Sequence, residues 1–234
     1  MASRKEQKER LRREREERER QHREQARRKR LVGYSVGGML AAAAVIAVVI
    51  VLVAGGSSKS EGSTFPSGGK APTVRVTNLN QAAAAAGCRL SSEKATSRNH
   101  EVNPNKKLHY RTNPPTDGKH YQFPENDGIY NKAPPDSHLV HNLEHGRIIV
   151  WVKPTLSDSA RKDIRALIDE DSYQMVLVPR TNMPFQVATS AWGRDPVPLG
   201  TGYLMGCARY DAKIFDAIRA FRDKHRSNGP EPIP

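Results

Sequence analysis

The stretch "HLVHNLEHGRIIVWV", residues 138–152, sets three histidines and a glutamate within eight positions and then turns into an unbroken apolar run. Imidazole nitrogens with a carboxylate are donors that zinc and copper accept, so metal binding is the first chemistry the string suggests. His141 and His145 stand four apart and would share one face of a helical turn. With Glu144 they spell H-x-x-E-H, the inverted zinc-protease pattern in which the glutamate is the general base. Gly146 and the apolar run end any such helix after about two turns, and no later helix offers an evident third ligand. A metal site that is not a protease draws on more of the chain. His120 lies in a loop stiffened by Pro and Gly, with His100 and His109 nearby in sequence. His120, His141 and His145, with Glu144 added, satisfy zinc or copper. Met183 and Met205 would add thioether character favouring copper(I), although single methionines beside apolar runs are usually core. The competing expectation is polar: His141 and His145 bond the main chain at a tight turn, and Glu144 is neutralised by Arg147 or Arg111.

The elements that must position these residues are legible in part. "RIIVWV" (147–152), "QMVLVPR" (174–180) and "FQVATSAW" (185–192) read as strands. "SDSARKDIRALIDED" places Ala160, Ile164, Leu167 and Ile168 on one helical face, beginning near Ser157. "DAKIFDAIRAFRDKH" reads as a helix capped by Asp211, and "NLNQAAAAAGC" as a short helix stopped by Gly87. Between 98 and 137, Pro, Gly, Asn and Asp are too dense for a helix and leave little room for a central strand. The aromatics Tyr121, Phe123 and Tyr130 within that stretch argue for an ordered loop, and a loop this long is usually functional or disordered. The fold class is α+β or α/β, a small sheet packed by helices.

The rest of the chain says where the domain sits. Residues 1–30 carry 14 Lys/Arg against 7 Asp/Glu, a net of +7 out of +13 for the whole chain. This arm has no apolar stripe, so it is a solvated helix of Glu/Arg pairs or disordered. Its interleaved acids and its lack of stacking aromatics speak against nucleic acid. Residues 31–54, "LVGYSVGGMLAAAAVIAVVIVLVA", hold no charge over 24 positions, while about 20 apolar residues suffice to cross a bilayer. Arg27, Arg28, Lys29 and Arg30 abut the run, which puts the arm in the cytoplasm against anionic lipid and the remainder outside. A cleaved secretory signal is a poorer fit, because the leader is long and charged. The expected organisation is a cytoplasmic arm (1–30), a single-pass transmembrane helix (31–54), a Gly/Ser-rich linker (55–72) and an extracytoplasmic domain (73–234). Cys88 and Cys207 both fall in the exported part, where a bridge between them is favoured over two separate buried thiols.

The strings "NPPTDGKH", "GIY", "LVHNLEHGRI", "MPFQVATSAWG", "GCARY" and "FDAIRAFRDKHRSNGPE" occur in this order. Together they resemble an uncharacterised, mainly actinobacterial family known as domain of unknown function 3105, over roughly residues 75–231. HNLEHG is the most specific string. The resemblance implies a membrane-anchored or secreted domain, and brings no established activity. It puts His120, His141, Glu144, His145, Trp192, Cys88 and Cys207 on the family's characteristic positions. Asp117 and Lys119 depart from the Ser and Pro usual in that turn.

The expected function is a membrane-anchored extracytoplasmic module that binds zinc or copper through His120, His141, His145 and Glu144. The alternative is an envelope interaction or scaffold domain in which these residues pin the long loop to the sheet. A metal-dependent hydrolase comes third, since no G-x-S-x-G elbow or P-loop is present. Neither a protein partner nor an oligomeric state is legible.

Overall fold

"IIVWV" has no polar residue to turn toward water, so it belongs at the centre of a sheet covered on both faces. In the computed structural model, which describes residues 63–231 and 233, all five of these residues are buried. The elements in chain order are α1 (Leu79–Ala85), β1 (Cys88–Lys94), β2 (His100–Glu101), β3 (His120–Tyr121), β4 (Gly128–Ile129) and α2 (Asp136–Glu144). There follow β5 (Ile148–Val152), α3 (Asp158–Glu170), β6 (Met175–Pro179), β7 (Val187–Gly193), β8 (Thr201–Cys207) and α4 (Ile214–His225). Six strands form one mixed sheet in the order β1-β8-β7-β5-β6-β4, and β2 pairs with β3 separately. β5, β6 and β4 run parallel, while β5–β7, β7–β8 and β8–β1 are antiparallel. The architecture is α+β.

Strand alternation divides the core into two layers. Ile148, Val150, Val152, Met175, Leu177, Val187, Ala191 and Met205 pack with the apolar residues of α1, α3 and α4. Ile149, Trp151, Val176, Val178, Ala188, Trp192 and Leu204 face the other way and meet Leu139, Val140 and Leu143 of α2. α2 is thus the helix of the second face. The expected helix at Ser157 forms as read, with the Ser157 hydroxyl accepting from the Ala160 N–H. α4 starts later than expected: Asp211 holds the Lys213 N–H at 2.8 Å in a turn ahead of Ile214. Cys88 and Cys207 face each other across β1 and β8 and form a disulfide.

The segment read as a linker over 55–72 differs in its described half. Phe65 is fully buried in the first core layer. The Arg161 and Arg165 guanidinium groups donate to the Thr64 and Phe65 carbonyls at 2.7 and 3.0 Å, and Lys70 N–H donates to Asp163 at 2.9 Å. Gly69 serves contact here rather than freedom: a Cβ there would lie 2.2 Å from the Lys162 carbonyl. Composition pointed to a tether because Gly, Ser and Pro also serve close approach.

Among the described residues no helix is long and apolar enough to cross a membrane. The expected transmembrane run 31–54, the arm 1–30 and the first part of the linker lie outside the described residues.

Candidate metal centre

Polar residues on α2 are buried because a loop covers the side of the helix that the sheet does not. Asp136 in the first turn of α2 receives both arms of Arg180 at 2.6 and 2.9 Å, and that guanidinium lies 5.0 Å over Trp151. Asn142 clamps the loop in both directions, accepting the Glu125 N–H at 2.9 Å and donating to the Glu125 carbonyl at 2.7 Å. His138 stacks on Tyr121 at 4.4 Å and contacts the Glu125 carboxylate at 2.7 Å. His138 and Asn142 therefore hold the loop. They leave His141, Glu144 and His145 for other work.

The helix stops at Gly146, whose φ of +81° is the left-handed conformation that favours glycine. The C-terminal segment folds back over this end. The Ser227 N–H donates to the Gly146 carbonyl at 2.9 Å, and the Glu231 N–H to the Glu144 carbonyl at 3.1 Å. Gly229 fits there only without a side chain, since a Cβ would lie 2.2 Å from the Glu144 carbonyl oxygen.

β2 and β3 bring in the remaining donors, because their parallel register sets His100 opposite His120. Ligand atoms of His100, His120, His141 and Glu144 all lie within 4.8 Å of one another. The ring centroids of His100, His120 and His141 stand 4.6–5.1 Å apart. Trp192 meets His120 edge-on at 5.8 Å and backs it from the sheet. His120 and Glu144 are fully buried, whereas the His100 side chain is 41% exposed. The cluster therefore opens to solvent at His100.

Tautomers follow from the partners. His120 Nδ1 lies 2.7 Å from the Gly118 carbonyl and His141 Nδ1 lies 2.6 Å from the Tyr121 carbonyl. A carbonyl only accepts, so both Nδ1 atoms carry a proton and Nε2 is the nitrogen each ring turns to the cluster, that of His141 lying 3.0 Å from His145 Nε2. This is the arrangement of metal-binding histidines, whose outer nitrogen is held by a carbonyl or carboxylate. His120 Nε2 lies 2.9 Å from Glu144 Oε2, yet neither atom is in an aligned hydrogen bond. Two donors on one ion at about 2.0–2.2 Å stand side by side roughly 3 Å apart, with their lone pairs aimed at the ion rather than at each other. The 2.9 Å separation equals that spacing, and it is also the length of an imidazolium–carboxylate ion pair.

The other Glu144 oxygen, Oε1, accepts from Arg98 Nε at 2.7 Å. Burial acts most strongly on Glu144 and favours its protonated form, but the His120 ring and the Arg98 guanidinium outweigh it and hold the carboxyl at about 2. Burial lowers His141 to about 4, against the pull of the Tyr121 carbonyl, and the neighbouring His120 lowers it further. Burial, then His141 and Arg147, lower His145 to about 4. At neutral pH Glu144 is ionised while His141 and His145 are neutral, as coordination requires.

Three of the four expected ligands, His120, His141 and Glu144, come together. His145 stands behind them, its Nε2 3.0 Å from His141 Nε2, and groups instead with Glu144 and Glu231. His100 takes its place among the converging donors. His109 is exposed in the loop and outside both groups, and Met205 packs in the opposite core layer. Met183 packs in the other core layer, with Trp192 and the apolar side of α2. Lys119 turns away to Glu101 at 2.9 Å. Glu144 is neutralised by Arg98 rather than by Arg147 or Arg111; Arg111 reaches Asp117 and Glu93 instead. Sequence reasoning passed over Arg98, which no periodic or motif signal marks, and met Glu231 only as the last residue of the string that ends in NGPE.

No curated protein and no solved structure matches the chain. A family model described as "Protein of unknown function (DUF3105)" matches residues 101–233, which include His120, His141, Glu144, His145, Trp192 and Cys207 but neither His100 nor Cys88. The match covers more than half of the chain, which therefore belongs to the DUF3105 family of proteins of unknown function.

Proposed function

We propose that the domain is a binding module for one first-row transition-metal ion, zinc or copper, held by His120, His141 and Glu144 with His100 as the solvent-facing fourth donor. The observation that carries this reading is the pair of buried, unaligned atoms, His120 Nε2 and Glu144 Oε2, 2.9 Å apart between two rings with their Nδ1 protons committed elsewhere. Three nitrogens and one oxygen suit zinc or copper(II). An ion bound there supplies a Lewis acid with one exposed ligand, which suits exchange with solvent or a carrier.

The same residues argue against a protease. Glu144 is fully buried and its Oε1 is taken by Arg98 Nε at 2.7 Å, which leaves it poorly placed to accept a proton from a water. The scaffold reading gives His120 and Glu144 the role of a clasp on the long loop, and it requires no ion. We also propose that residues 31–54 anchor the chain with this domain outside the membrane, on the charge pattern around that run.

Untagged full-length chain, purified in detergent and titrated with zinc and copper(II), tests the main reading. One ion per chain is expected, with affinity falling at least tenfold in His120→Ala and His141→Ala. No stoichiometric ion in the wild type, together with unchanged melting in the presence of chelator, overturns it in favour of the clasp.

A further inference from the structure

A second set of donors surrounds the same carboxylate. Ligand atoms of Glu144, His145 and Glu231 lie within 4.8 Å of one another. One imidazole and two carboxylates are a donor set that binds zinc. Each group is held by the fold. His145 is buried at the end of α2, Glu231 is fixed through its own N–H on the Glu144 carbonyl, and Gly229 lets the C-terminal segment lie flat against that carbonyl.

A cation already stands between the carboxylates. Arg98 gives Nε to Glu144 Oε1 at 2.7 Å and Nη2 to Glu231 Oε2 at 3.4 Å. A guanidinium keeps its charge at every pH the protein meets and offers donors in a planar fork. Resting on the metal reading of the first donor set, we propose that Arg98 is a built-in cation occupying the second of two adjacent metal positions that share Glu144. Arg98 thereby sets the stoichiometry at one ion.

The electrostatics favour a cation in this place, although the Glu231 side chain is half exposed. Glu144 is fully buried, and Glu231 is brought to it by the main chain, so two negative charges meet at the edge of a desolvated site. Without Arg98 they repel unless another cation is recruited. The two positions are neighbours, since His141 of the first set and His145 of the second have their Nε2 atoms 3.0 Å apart. The geometry otherwise resembles a carboxylate-bridged pair of ions, with the guanidinium in the place of one.

Full-length chain in detergent is loaded with excess zinc, passed over a desalting column and assayed for zinc per chain. One zinc is expected in the wild type and in Arg98→Lys, which keeps the charge. Two are expected in Arg98→Met and in Arg98→Gln, the latter keeping donors without charge. The second zinc is expected to disappear in Arg98→Gln/Glu231→Gln. Circular dichroism reports whether each variant folds, and the pair of Arg98 substitutions guards against failure of either. One zinc in a folded Arg98→Met or Arg98→Gln overturns the proposal and leaves the first site standing, as do two zincs in the wild type. No zinc in the wild type overturns the first site and this inference with it.

Discussion

A neutral imidazole inside a folded protein makes stability depend on acid. His225 packs against Tyr203 and Phe221, with ring centroids 4.3 and 4.6 Å away, and burial followed by the nearby Lys224 lowers its pKa to about 4. The unfolded ring titrates near 6.5, so between about 6.5 and 4 the unfolded chain binds more protons than the folded one. Stability therefore rises with pH in that window and is lost as pH falls through it. Each such group contributes a slope of up to about 1.4 kcal/mol per pH unit. His225→Phe should flatten the slope by about that much, read from urea midpoints between pH 7 and 4.5. An unchanged slope would mean that His225 is already charged in the fold. Glu144, held at about 2, acts lower: its contribution is complete above about 4.5 and is lost as pH falls toward 2. At this scale the sequence was legible in part. The type and spacing of His120, His141 and Glu144 marked them as donors. His100 was named only as a neighbour of His120, and Arg98 and Glu231 escaped, because they come from segments joined only by β2–β3 pairing and by the fold-back of the C-terminal segment.

Elements hold the centre through a few contacts, so their loss has a defined signature. Buried Asn142 makes two hydrogen bonds to the half-buried main chain of Glu125. Asn142→Ala leaves both Glu125 groups unpaired and should cost about 2–3 kcal/mol. Metal affinity should fall with it, because the loop that carries His120 is released from α2; equilibrium unfolding and zinc titration of the same sample check both. Strands β5, β6 and β7 and helix α3 were legible because burial imposed their patterns on the residues. β1 and β8 were not. Most of β1 is exposed at the sheet edge and carries "SSEK". β8 has glycine at 202 and 206, where a Cβ would meet Thr116 and Asp117 or the ring of Phe185 at 2.3–2.8 Å. The glycines that let the loop and Phe185 lie against the sheet also erase the strand's alternation. The site-bearing loop and the silent strand are thus two sides of one packing problem.

For the molecule as a whole, the question is what closes its two ends. The Cys88–Cys207 disulfide joins the edge strand to β8 across a separation of 119 residues. In the chain-entropy account a loop of that length contributes up to about 4–5 kcal/mol. Denaturant midpoints with and without reductant should show a loss of that order. The segment from Ser63 to Lys70 closes the other end, laying Phe65 into the core beside α3 while two arginines hold its carbonyls. A chain begun at residue 73, where the composition places the domain boundary, lacks this plug and exposes the apolar groups around it. Removing a buried phenylalanine side chain alone costs about 3–5 kcal/mol. For a domain of this size that corresponds to a melting temperature lower by roughly 10 °C. Chains beginning at residues 61 and 73 should therefore differ by that amount, and Phe65→Ala in the longer one should reproduce most of the difference. Equal melting temperatures would return the segment to the role of tether. The donors lie on and beside α2, the helix that packs on the other core layer. Zinc stoichiometry in the Phe65→Ala chain should therefore stay at one while its stability falls, which separates what closes the fold from what builds the site.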